Sequence, residues 1–155
     1  MIVEVDESNI TMAAKIHSRS WQESHKDFCK AEFVELHTTK HQEEYLRQEV
    51  NTGKKLYMLI ESKPVGIVSV YNSMIENLYV LPEEQHKGYG TKLLKFAMQH
   101  CEGIPTLWIL DNNKKAYSLY SKYGFLITGK KNRLSESISE IEMKCGKGSI
   151  DRDRL

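Results

Sequence analysis

Ten residues, QHKGYGTKLL at positions 85–94, are the chemically most specific stretch of the chain. Gly88 and Gly90 stand at the mouth of an apolar helical pattern, although glycine is a poor helix former. A helix N-terminus exposes unpaired N–H groups and a positive dipole end, and so suits phosphate. Glycines there would open the backbone to a diphosphate, Lys87 would add a cation, and Gln85 could brace the turn or donate to a phosphate oxygen. The alternative is a tight turn that needs glycine for its backbone alone. Neither GxxxxGK(S/T) nor GxGxxG is present, which argues against a P-loop or a Rossmann unit.

Other reactive side chains form no comparable pattern. Cys29, Cys101 and Cys145 are an odd, sparse set, neither a disulfide framework nor metal-spaced, and favour a reducing compartment. His37 and His41 are four apart, as two ligands on one helix face would be, but no HExxH motif or nearby cysteine supports them, so no metal is expected. A formal net charge of +1 gives no field to gather nucleic acid or anionic membrane. With 155 residues, 40% hydrophobic and 28% charged, the expectation is one soluble domain with its own core. The start, MIVEVDES, does not read as a signal peptide, and no apolar run approaches membrane-spanning length. These features together point to the cytoplasm.

The elements that must position the glycine turn follow from periodicity. MIVEV (1–5) reads as a strand, and Asp6 or Ser8 can cap a helix whose apolar face is Ile10, Ala13, Ala14, Ile16, His17 and Trp21. Residues 22–40 read as a turn and a short helix, and Thr39 starts a further helix ended by Gly53. KLYMLIES (55–62) and PVGIVSVYN (64–72) form a hairpin about Ser62-Lys63-Pro64, and IENLYVL (75–81) is a third strand closed by Pro82. A helix over 88–101, the strand TLWIL (106–110), a helix from Asn113 to Lys122, and an antiparallel pair from FLITGKK and SISEIEMKC (137–145) complete the order. The domain is taken as 1–146, with 147–155 a charged, glycine-rich, mobile tail.

Placed among these elements, the glycine turn resembles the central motif of the Gcn5-related N-acetyltransferase (GNAT) family, Q/R-x-x-G-x-G/A, at Gln85, Gly88 and Gly90. NLYVLPE resembles the strand before it. LWILDNNKKAYSLYSKYGF resembles the second signature, a strand followed by N-x-x-A-x-x-x-Y-x-x-x-G-F, at Asn113, Ala116, Tyr120, Gly124 and Phe125. The resemblance implies an α/β (α+β) GNAT fold: one mixed sheet of about six to seven strands, about four flanking helices, and two splayed parallel central strands. It implies acetyl-CoA as donor substrate, no metal, and direct transfer to a primary amine in a ternary complex. Pantetheine would pair with backbone at Leu78, Tyr79 and Val80, and an N–H near Val80 would polarise the thioester. The pyrophosphate would lie on Gln85, His86, Lys87, Gly88, Tyr89, Gly90 and Thr91, with Asn113 and Ala116 beside the pantetheine.

Within that frame Tyr120 matches the tyrosine whose hydroxyl points at the sulfur and serves as general acid; the alternative is packing, since it shares a helical face with Ala116, Leu119 and Tyr123. Glu76 is the candidate base. By strand alternation it would share a face with Leu78 and Val80; the alternative is a solvated edge glutamate. Trp21, His25, Phe28 and Tyr71 are candidate acceptor contacts, each with an alternative in core or surface. No feature names the acceptor. A small-molecule amine leads, a peptide or protein amine is second, and a CoA-binding sensor without turnover is the reading from another class. Monomer and homodimer both remain open.

Overall fold

The computed structural model describes residues 1–146, and seven strands in it form one sheet in the order β1-β2-β3-β4-β5-β7-β6. In chain order the elements are β1 (Ile2–Glu4), α1 (Ile10–His25), α2 (Ala31–Glu35), α3 (Thr39–Asn51), β2 (Lys55–Ile60), β3 (Pro64–Tyr71), β4 (Met74–Val80), a 3-10 turn (Pro82–Glu84), α4 (Tyr89–His100), β5 (Thr106–Leu110), α5 (Lys114–Lys122), β6 (Phe125–Arg133) and β7 (Ser139–Cys145). Among the described residues there are five α-helices where about four were expected, and α2 is the short helix read within 22–40. The stretch expected as a tail, 147–155, lies outside the described residues.

Two apolar clusters hold the layers together. Ile10, Ala13, Ala14 and Ile16 recur at helical spacing on α1 and pack with Leu46 of α3 against Met58 and Ile67. On the opposite face of the sheet, Leu93, Leu94, Ala97 and Met98 of α4 meet Val68, Leu107, Phe125 and Met143, with Tyr120 of α5 in the same cluster. The expected caps of α1 are replaced: its N-cap is Asn9, with no side-chain cap bond. Asp6 instead accepts from the N–H and the hydroxyl of Ser8, closing a local turn.

Every neighbouring pair of strands is antiparallel except β4 and β5, which are parallel and register at a single position, Met74 opposite Thr106. Beyond it the two strands part. Helix α4 lies close to β3 just before this opening. A Cβ at Gly66 would meet Leu93 Cδ1 at 2.7 Å and the Tyr79 carbonyl oxygen at 3.0 Å, so glycine allows the approach without displacing either.

Candidate active site

The parting of β4 and β5 opens a cleft of about 360 Å³ lined by Met74, Ile75, Glu76, Asn77, Trp108 and Glu140. Its shape depends on a bulge in β4. Ser69 pairs with Glu76 and Ile67 with Tyr79, so β4 carries one residue more than β3 across that interval. Asn77 takes up the extra residue with φ 53°, in the left-handed region that asparagine tolerates better than most side chains.

The bulge overturns the alternation expected for Glu76. Ile75, Leu78 and Val80 all pack on the α4 side of the sheet, whereas Tyr79 packs on the α1 side. Glu76, next to Ile75, therefore lies on the face opposite Leu78 and Val80. There Lys54 holds it at 3.2 Å, and Lys54 also pairs with Glu49 of α3 at 2.9 Å. Glu76 still borders the cleft, but from the α3 side.

Beyond the bulge the backbone turns toward the gap. The Leu81 N–H donates to the Val65 carbonyl at 2.9 Å, across the Gly66–Val80 pair. That makes Gly66–Val80 a non-hydrogen-bonded pair, with the Val80 N–H and carbonyl pointing away from β3 toward β5. The carbonyl accepts from Ser20 Oγ and from Gln85 Nε2, each at 3.2 Å, so Gln85 braces the turn.

Gly88 is the N-cap of α4 at φ 85°, and His86 is also left-handed at φ 66°. No side chain caps the helix, and a Cβ at Gly88 would meet nothing within 4 Å. Gly88 is thus required by the turn, and it leaves open space before the first-turn N–H groups of Tyr89, Gly90 and Thr91. Lys87 is not a bare cation here: it pairs with Glu84 at 2.8 Å, which raises its pKa. Lys63 bridges Glu83 and Glu84, and Arg19 of α1 grips Glu83 through its two terminal guanidinium nitrogens, holding that carboxylate down to about 2.

Tyr120 is buried among the α4-side cluster, and its ring lies 5.8 Å from that of Phe125. Burial, and then the nearby Tyr79, push its hydroxyl well above the usual phenol range, so it stays a proton donor at any ordinary pH. Burial likewise pushes Tyr79 up to about 12. Asn113 caps α5, its Oδ1 accepting from the Ala116 N–H at 3.1 Å, and Tyr117 is exposed on the far side of the helix.

Of the expected acceptor residues, Trp21, His25 and Phe28 come together. Trp21 is sandwiched between His25 and His37, with ring centroids at 3.9 and 3.4 Å. Phe28 tilts against His25, and Phe33 sets its edge to Trp21. Burial pulls His25 below its ordinary value, against the bond from its ring to the Trp21 carbonyl. Tyr71 is elsewhere, in a separate shallow pocket with Gly53, Tyr57 and His100.

Trp108 and Glu140 were missed as cleft residues. Their sign was present: Leu107 and Ile109 are buried on one face of TLWIL, so Trp108 must face the other way, with Glu140 on the neighbouring strand.

The acetyltransferase (GNAT) domain family matches residues 23–147, and the chain belongs to that family. Solved structures share the fold. PaiA N-acetyltransferase from Thermoplasma acidophilum, solved with coenzyme A, is 19% identical at a TM-score of 0.67, covering 93% of this chain and 98% of its own. YncA, a putative acetyltransferase from Salmonella typhimurium solved with acetyl-CoA, is 17% identical at 0.66, covering 96% and 94%. A variant of the spermidine N-acetyltransferase SpeG from Vibrio cholerae is 14% identical at 0.68, covering 94% of both chains. No curated protein sequence matches the chain significantly. No helix among the described residues is long and apolar enough to cross a membrane.

Proposed function

We propose that the protein is an acetyl-CoA-dependent N-acetyltransferase acting on a primary amine of a small molecule. The observation that carries this is the parting of β4 and β5 directly before the uncapped N-terminus of α4, with the Val80 backbone turned into the gap. The pyrophosphate of acetyl-CoA would take the first-turn N–H groups, as anions do at helix N-termini. Pantetheine would extend along the Leu78–Val80 backbone as an added strand.

An amine entering from the Glu76 side attacks the thioester carbonyl while the Val80 N–H receives the developing oxyanion. Collapse breaks the carbon–sulfur bond. A thiol titrates near 8.5, below the raised Tyr120 phenol, so Tyr120 stabilises the departing thiolate chiefly by hydrogen bonding. The amine's proton leaves to Glu76, directly or through water. Glu76, Glu140 and Trp108 around one cleft favour a cationic acceptor, and a polyamine such as the spermidine named for SpeG fits that chemistry. The cleft volume suits a small ligand better than a protein segment.

Thiol release from acetyl-CoA over a panel of polyamines, amino acids and peptide N-termini tests the reading. Amine-stimulated release with an acetylated small-molecule product is expected. Acetylation of peptides alone would favour the protein-directed alternative. Tight CoA binding without amine-stimulated release across the panel would favour a sensor.

A further inference from the structure

Buried polar side chains from three other elements converge on Asn77, the residue that makes the bulge. His17 of α1, Gln42 of α3 and Ser69 of β3 are 3%, 3% and 1% exposed, in positions where unpaired polar atoms would be costly. Asn77 Nδ2 donates to Ser69 Oγ at 3.1 Å, and the Ser69 hydroxyl donates to the Glu76 carbonyl at 3.1 Å. Asn77 Oδ1 then faces His17 Nε2 at 3.2 Å and the Tyr45 hydroxyl at 3.4 Å.

These contacts dictate one proton arrangement. His17 Nε2 must carry the hydrogen that Asn77 Oδ1 accepts. In the neutral ring Nδ1 is then an acceptor, and it receives from Gln42 Nε2 at 2.6 Å. Gln42 Oε1 accepts in turn from His41 Nδ1 at 2.6 Å. Tyr79 sets its ring edge to His17 at 4.9 Å and Tyr45 lies at 5.4 Å, which fixes the plane of the imidazole.

We infer that His17 is a positioning residue for acyl transfer: through Asn77 it pins the β4 bulge that turns the Leu78 and Val80 backbone toward the donor. The inference rests on the transferase reading above. Its physical basis is register. Without the extra residue at Asn77, Leu78 and Val80 would exchange faces and backbone directions with their neighbours. A left-handed asparagine in a strand persists only where its surroundings hold it, and His17 supplies the hold from α1.

The test is a set of variants of the full chain. His17→Gln keeps an amide N–H near the Nε2 position and can still donate to Asn77; His17→Asn is too short. His17→Asn should lose about tenfold to a hundredfold in kcat while retaining its far-UV circular dichroism. His17→Gln should recover most of that loss. Asn77→Gly accepts the left-handed backbone but cuts the link. It should lose activity like His17→Asn, and the double variant should lose no more than either single one.

Additive losses, or equal losses in His17→Asn and His17→Gln that track thermal stability, would overturn the inference. So would His17→Asn with wild-type kinetics. Wild-type protein that binds acetyl-CoA but releases no thiol with any amine overturns the transferase reading alone. The same cycle is then read in acetyl-CoA affinity, with coupled losses expected and additive ones counting against His17. Wild-type protein that binds no acetyl-CoA overturns both.

Discussion

Acid should destabilise this protein through His17 by an amount the structure specifies. His17 is buried, neutral and already engaged at both ring nitrogens. Burial is the main cause that lowers its pKa from 6.5 to about 4, with the bond to Asn77 acting in the other direction. Between those two values the unfolded chain takes up a proton that the folded chain refuses. Stability therefore falls as the pH drops through 6.5 and levels off below 4. The full difference is worth about 3 kcal/mol, and about 2 kcal/mol of it is already lost at pH 5.

Many carboxylates also titrate on the way down, so the measurement must be a difference. Urea unfolding of wild type and of His17→Gln, followed by circular dichroism at several pH values from 7.5 to 5, gives two curves. The glutamine cannot titrate, and contributions from other groups cancel in the subtraction. The gap in unfolding free energy should shift by about 2 kcal/mol against the wild type over that range. A gap that stays constant across the range would refute the assignment of His17 as a buried neutral donor. It would also remove the proton arrangement drawn for Asn77.

Further outcomes are expected at Gly88, Tyr120, Gly66 and Glu76. Gly88→Glu should abolish acetyl-CoA binding in calorimetry by putting bulk and negative charge before α4, whereas unchanged affinity would remove the phosphate assignment. Tyr120→Phe should lower kcat by about a hundredfold with CoA affinity nearly intact, and full activity would leave Tyr120 as a packing residue. Gly66→Ala should destabilise the fold by about 1–3 kcal/mol in urea titration, because its Cβ meets the Tyr79 carbonyl as well as Leu93. Glu76→Gln should lower kcat with acetyl-CoA affinity nearly intact, and an unchanged kcat would free Glu76 from the role of base.

Much of this site was legible along the chain. Gly88, Gly90 and Gln85 lie within six residues, and the work of a helix N-terminus is local: uncapped N–H groups and a residue able to adopt positive φ. Asn113 caps its helix three residues on, and the burial of Tyr120 follows from the period of α5. The two layers of helices were readable for the same reason, since apolar periodicity reports which face is covered. Trp108 was readable by alternation too, though its partner across the cleft was not.

The face of Glu76 was not legible. Alternation in β4 fails at Asn77, and the only local sign was an asparagine inside a strand, where that residue is uncommon. What holds the bulge comes from His17, Gln42 and Ser69, on three other elements and up to sixty positions away. The sandwich of Trp21 between His25 and His37 likewise joins α1 to the connection between α2 and α3. By itself the sequence determined the glycine turn before α4, because residues within that one turn make it. The face on which Glu76 stands was decided only by tertiary structure, because it depends on a strand bent by hydrogen bonds that no local pattern encodes.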